Sequence, residues 1–170
     1  QDNQIEWVWL LNNDTKVLPE TLESMKKILD EMPKDIGVIG FKILSMDNPD
    51  FIHHAGTTVA IPGGVHKSGS VKLRQYKTRT YEKWVTFASV IIRREVFTEI
   101  GLLDSNMVNY YSDSDFCYRA RRAGWKVIYE PTFVIQHKIG QSQNPSPEQM
   151  KVLQHDSAVF QNKWINGFDF

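Results

Sequence analysis

Three consecutive segments near the start limit what this chain can fold into. "IEWVWLLNND" (5–14) is a short apolar run that ends in polar residues, and "IGVIGFKIL" (36–44) is a second apolar run. Between them, "LPETLESMKKILDEMP" (18–33) places Leu22, Met25, Ile28, Leu29 and Met32 at helical spacing, with Pro19 at the start and Pro33 as the stop. Apolar runs this short read as buried strands, so the order is strand, helix, strand. That order predicts an α/β layer built on a parallel sheet. The first strand delivers Asn12, Asn13 and Asp14 at its C-terminal end.

The rest of the chain continues the alternation with one interruption. Residues 45–82 contain "HHAGTTVAIPGGVHKSGSV", β-rich pieces broken by Pro62-Gly63-Gly64 and Gly69, and predict a hairpin or meander with mobile tips. "KWVTFASVIIRREVFTEIG" (83–101) predicts a strand through Ile92 and a short helix ended by Gly101. "SDSDFCYRARRAG" (112–124) predicts a helix with Phe116, Ala120 and Ala123 on one face and Gly124 as its stop. "WKVIYEP" and "TFVIQHK" are strand-like runs on either side of Pro131. A last amphipathic helix near 146–164 is predicted from Ser146 as N-cap, Pro147 at the first helical position, and Met150, Leu153, Phe160 and Trp164 at helical spacing.

Composition excludes several classes. The 170 residues amount to about one domain with a real core. Twenty Lys and Arg balance twenty Asp and Glu, so no broad basic field points to nucleic acid. Cys117 is the only cysteine, which excludes a disulfide framework and a cysteine-rich zinc site and favours a reducing compartment. No apolar run approaches the roughly 18 residues that cross a bilayer. The chain opens on "QDNQIEWVWLLNND" without an initiator Met and reads as a piece of a longer polypeptide.

Chemistry has three candidate places. At "LLNNDT", Asp14 is the anionic group at a strand end, where ligands of open α/β sheets bind. A carboxylate there suits Mg²⁺ or Mn²⁺ held against a diphosphate, although "NND" is equally good turn chemistry. At "SDSD", Asp115 stands three residues after Ser112 as in a capping box and complements the helix dipole. Asp113 has less need of such a structural role, and a carboxylate at a helix mouth can serve as general base. At "VIQHKIGQS", His137 ends an apolar strand, as a metal ligand or as an ordinary surface or core residue. His53, His54, His66 and His155 show no ligand-like pairing, and the neighbours His53 and His54 are expected on opposite sides of a strand.

In order, "WVWLLNNDTKVLPETL", "VIIRREVFTEIGLLD", "YSDSDFCYRARRAGW" and "VIYEPTFVIQHKIGQS" resemble the second half of family-two glycosyltransferases of the inverting GT-A type, notably the bacterial rhamnosyltransferase-like group, over roughly residues 5–143. The resemblance implies a mixed, mostly parallel sheet flanked by helices. It also implies that residues 1–170 are the C-terminal part of one domain, whose nucleoside-binding units would lie upstream. The family's Asp-x-Asp signature falls on Asn12-Asn13-Asp14, so Asp14 is implied as the metal and diphosphate residue and Asn12 as a ribose or phosphate contact. The family's Glu-Asp pair falls on Ser112-Asp113, leaving Asp113 as the implied base. His137 matches a histidine that completes the metal site in several relatives, and Ala88 and Ser89 match a small-residue stretch lining the donor-sugar pocket.

The implied reaction moves a sugar from a nucleotide-sugar donor to a saccharide or lipid-linked saccharide acceptor, with inversion and a divalent metal, in polysaccharide or cell-surface glycan synthesis. The implied location is the cytoplasm, with a peripheral place at the inner face of the membrane as an option. The chain by itself is expected to be inactive and to self-associate. Two rival readings stand. Asn12 and Ser112, softened acidic positions, suit a relative that binds saccharide or nucleotide without turnover. "NND" with a distant His would also suit a phosphoryl-transfer or hydrolase domain, though no Gly-rich phosphate loop accompanies it.

Overall fold

The structure, a computed structural model, describes residues 5–57, 66–138 and 145–164. In chain order the elements are β1 (Trp7–Leu11), β2 (Thr15–Val17), α1 (Pro19–Leu29), β3 (Ile36–Ser45), β4 (Phe51–His54), β5 (Gly69–Ser70), a 3-10 turn (Arg74–Tyr76), β6 (Thr80–Tyr81), β7 (Ser89–Arg93), α2 (Arg94–Ile100), α3 (Ser112–Arg122), β8 (Lys126–His137) and α4 (Pro147–Trp164). The strands form one mixed sheet in the order β1-β7-β3-β4-β5, with β8 lying beside β3 and also pairing β2 and β6.

The expected mostly parallel sheet is corrected here. Among the described strands only β3 and β8 pair in parallel, and the remaining pairs are antiparallel. β1 and β3 do run the same way across α1, but β7 inserts antiparallel between them. A helical crossover fixes the relative direction of the strands it joins and does not make them neighbours. β7 arrives from the middle of the chain and takes that slot.

Alternation along the strands explains the continuous apolar runs. Val38, Val90, Ile92 and Val127 face the side covered by α2, α3 and α4, where they meet Phe116, Cys117, Ala120 and Phe160. Ile39, Phe41, Ile43, Ile91, Ile128 and Ile135 face the other side, where Met25, Ile28, Leu29 and Met32 of α1 and the turn after it pack. Both faces are buried, so both residues of each period are apolar. Leu22 breaks the expected α1 stripe and is exposed, whereas Thr21 is buried and exchanges hydrogen bonds with the backbone of Val134. On α3, Phe116 and Ala120 are buried as expected, but Ala123 caps the helix and is exposed.

The two runs flanking Pro131 form one strand. The register of β8 on β3 jumps from Phe41–Glu130 to Lys42–Val134, and Pro131 sits in that irregularity, where its missing N–H costs no ladder bond. At Gly40 an added Cβ would lie 2.5 Å from Val85, so only glycine lets the segment that leads into β7 cross the sheet this closely. The Pro62-Gly63-Gly64 tip lies outside the described residues, and Gly69 begins β5.

β1 pairs on one side alone among the described residues. Its other edge presents unpaired backbone groups on an apolar strand, a template for another chain. The isolated 170-residue chain is therefore expected to run larger than a monomer in light scattering. A clean monomer at high concentration would show that this edge is covered.

Candidate active site

Sheet pairing builds the site from both ends of the sequence. Leu11 of β1 lies opposite Ser89 of β7, and the Asn12 N–H donates to the Ala88 carbonyl at 3.0 Å. A tight turn follows, held by the Thr15 hydroxyl on the Asn12 carbonyl at 2.6 Å. β2 then pairs with the end of β8, with Thr15 opposite His137, and the Lys138 N–H donates to the Asp14 carbonyl at 3.1 Å. These ladders bring the Asp14 carboxylate to His137, with Oδ1 3.0 Å from Nε2. Both groups are partly buried, and the other ring nitrogen of His137, Nδ1, is buried without a hydrogen-bond partner.

Asp113 reaches the same end of the sheet from α3. Its Oδ1 accepts the Ser114 N–H at 2.7 Å, and the Phe87 backbone N–H also contacts it. Phe87 precedes Ala88, the residue that holds Asn12, so a short backbone path joins Asp113 to the Asp14 turn. Burial pushes the Asp113 carboxyl up to about 6, and the hydrogen bonds from Ser114 and Phe87 offset only part of that cost. Asp14, Asp113 and His137 thus share one edge, at the C-terminal ends of β1 and β8 and the start of β7. Asn12 is exposed there, Ala88 is buried, and Ser89 is fully buried with its hydroxyl accepting the Trp9 indole N–H at 3.0 Å.

Asp115 does something other than cap a helix. The N-cap of α3 is Tyr111, in the left-handed region (φ 62°, ψ −5°), with no side-chain cap bond. The Asp115 carboxylate is fully buried and binds Arg119 Nε at 2.8 Å, Lys163 Nζ at 2.8 Å and Trp164 Nε1 at 3.0 Å. It is an anionic hub between α3 and α4, and the Ser112–Asp115 capping box is not formed.

The remaining histidines also depart from expectation. His54 Nδ1 lies 2.7 Å from His66 Nδ1, and the His53 ring stacks on His66 at 5.3 Å. The two neighbours reach one partner because β4 bulges: Ile43 pairs with His54 and Leu44 with Ile52, leaving His53 as the extra residue. Burial lowers the basicity of all three, His66 to about 4, so they are neutral at pH 7. His53 also lies 6.3 Å, ring to ring, from His137, which joins this cluster to the Asp14 pair. His155 bonds Asp156 at 2.9 Å.

Among the described residues no group of three or more His, Cys, Asp or Glu is arranged to hold a metal ion. Asp14 and His137 are two donors, and a cation there would need further ligands from a bound substrate or water. A cleft of about 240 Å³ lies beside the Asp113 loop, lined by Val108, Asn109, Tyr110, Glu148, Gln149 and Val152. No described helix is long and apolar enough to cross a membrane.

Comparison with known proteins agrees with this architecture. The chain is 27% identical to an uncharacterised protein, y4gI, of Sinorhizobium fredii, over 94% of this chain and 18% of that protein. It is 23% identical to an N-acetylglucosaminyl-diphospho-decaprenol L-rhamnosyltransferase of Mycobacterium tuberculosis, over 90% of this chain and 53% of the enzyme. An O-antigen biosynthesis protein of Myxococcus xanthus, RfbC, is 28% identical over 78% of this chain and 11% of its own length. The chain therefore spans about half the length, or less, of these curated relatives. Residues 3–155 match the family described as glycosyltransferase-like family 2, which is most of the chain, and the protein belongs to that family.

Proposed function

We propose that this chain is the metal, donor-sugar and acceptor portion of a GT-A glycosyltransferase that transfers a sugar from a nucleoside-diphosphate sugar to an acceptor hydroxyl with inversion. The nucleoside-binding units of that domain would come from sequence upstream. The observation that carries the reading is the convergence, on one sheet edge, of the Asp14–His137 pair and a carboxyl, Asp113, tuned to about 6. A general base works best with its pKa near the working pH, and Asp113 meets that condition.

In this reading Asp113 accepts the proton of the acceptor hydroxyl as its oxygen attacks the anomeric carbon. The bond from that carbon to the diphosphate breaks, and the diphosphate leaves on the opposite face, so one displacement inverts the centre. Asp14 and His137 suit Mg²⁺ or Mn²⁺. Asp14 Oδ1 and His137 Nε2, 3.0 Å apart, would supply two of the ion's ligands, with the rest from diphosphate or water. Such a cation, when bound, would neutralise charge on the departing diphosphate. Asn12, exposed beside the pair, is placed to contact ribose or phosphate. Ala88 holds Asn12 through its carbonyl on the donor side, while Ser89 contributes by holding Trp9. The names of the rhamnosyltransferase and O-antigen relatives point to polysaccharide or cell-surface glycan synthesis, with a saccharide or lipid-linked saccharide as acceptor.

The test is release of nucleoside diphosphate by the full-length protein from UDP-, dTDP- and GDP-linked sugars, L-rhamnosyl donors included, with and without acceptor. Acceptor-dependent release is expected, with activity lost in EDTA and restored by Mg²⁺ or Mn²⁺. Full activity in EDTA would remove the metal role of Asp14 and His137. Asn12, a neutral amide where the resemblance implies an acid, favours one alternative, a saccharide- or nucleotide-binding protein; donor binding without turnover would establish it.

A further inference from the structure

The loop that carries Asp113 into place is held from behind by a residue outside the motifs. Asp156, on α4, is fully buried. Its carboxylate accepts three consecutive backbone N–H groups: Val108 at 3.0 Å, Asn109 at 2.8 Å and Tyr110 at 2.8 Å. His155 Nδ1 approaches the same carboxylate at 2.9 Å. The next residue, Tyr111, is the only non-glycine residue with positive φ among those described, and Asp113 follows two positions later. A tyrosine in the left-handed region persists only where its surroundings enforce it. Phe160, one turn beyond Asp156 on the same face of α4, stacks on the Tyr111 ring at 5.1 Å.

Resting on the reading of Asp113 as base, we propose that Asp156 is a positioning residue. Its carboxylate gathers the 108–110 amides, fixes the entry to α3, and so sets Asp113 toward the acceptor. A purely architectural tie between α4 and the body already exists in Lys163, which bonds Asp104 at 2.7 Å, early in the same loop, and Asp115 at 2.8 Å on α3, but none of residues 108–110. Asp156 is distinct because all of its backbone partners lie in the three residues before the strained Tyr111. Those three residues, with Glu148, Gln149 and Val152 of the same helix, also line the 240 Å³ cleft.

Asp156→Asn keeps the shape but offers one acceptor oxygen where two serve, and its amide N–H₂ opposes a backbone donor. The test compares Asp156→Asn, Asp113→Asn and Lys163→Ala in the full-length protein. It follows amide hydrogen exchange of the 105–112 peptide and transfer kinetics with whichever donor of the UDP, dTDP and GDP panel is turned over, all below the melting temperature of each variant. Asp156→Asn is expected to speed exchange at 108–110 and to lower kcat by up to about 10²-fold, the cost of displacing a catalytic group by roughly 1 Å. The donor KM should stay unchanged. Lys163→Ala should lose stability yet keep kcat. Slow exchange at 108–110 in Asp156→Asn, unchanged kcat, or an equal kcat loss in Lys163→Ala would overturn the positioning role while leaving the base in place. Full transfer by Asp113→Asn would instead bring down the functional reading, and the positioning role with it.

Discussion

Asp113→Asn in the intact protein is expected to slow sugar transfer by about 10²–10⁴-fold, the usual worth of a general base, with donor binding unchanged. The substitution is nearly isosteric, and the amide oxygen can still accept the Ser114 N–H that meets the carboxylate. What it cannot do is take a proton. The same group sets the acid limb of the pH profile. Only the ionised carboxylate acts as base, and burial holds its pKa at about 6, so the parent rate should fall as pH drops through that value. The variant's residual rate should lose that limb. Linkage gives the matching stability result. A carboxyl raised above its ordinary 3.8 in the fold costs stability as pH rises from that value through about 6. Asp113→Asn should therefore be at least as stable as the parent at pH 7 by thermal melting. A folded variant that keeps full activity would remove Asp113 from the chemistry.

How much of this was legible follows from which interactions are local. α1, α2, α3 and α4 were readable because their signals, Pro19, Gly101, Gly124, and Ser146 with Pro147, act within a turn of the chain. At Ser146 the reading extends to the side chain, whose hydroxyl accepts the Gln149 N–H while Gln149 Oε1 accepts the Ser146 N–H. That Asp14 and His137 lie at one end of the sheet was also readable, because the C-terminal ends of co-directional strands share it; their 3.0 Å approach comes from the long-range pairing of β2 with β8. The sheet's mixed character was not. Nothing local in "SVIIR" says that it slots antiparallel between β1 and β3, a choice made by long-range pairing. The histidine cluster was missed because a single-residue bulge at His53 reverses the side expected from strict alternation. Asp156 was missed because it looks like one more polar residue on an amphipathic helix. Its partners lie 46 to 48 positions earlier, and they are backbone groups that no composition reveals.

Asp115→Asn tests the division of labour between the two carboxylates from the opposite side, as a loss of stability with the chemistry retained. Local patterning assigns Asp115 to the helix start, where replacing a cap costs about 1 kcal/mol. The structure assigns it a larger part. The buried carboxylate meets three donors, Arg119 and Trp164 through direct hydrogen bonds and Lys163 through an ion pair, and two of them come from α4. An amide in its place carries no charge and turns its N–H₂ toward at least one of those donors. Breaking a buried ion pair by removing one partner costs about 3–5 kcal/mol. The lower end applies here, because Arg119 and Lys163 remain 17% and 32% exposed and keep other acceptors. A loss of about 3 kcal/mol in a domain of this size lowers the melting temperature by roughly 6–12 °C. α4 should loosen first, since Phe160 and Trp164 pack against Tyr118 from the same helix. Well below its melting temperature, Asp115→Asn should keep a kcat close to the parent's, in contrast to Asp113→Asn. Thermal melts and steady-state rates at low temperature decide the matter. A stable Asp115→Asn protein with crippled turnover would exchange the roles of the two carboxylates.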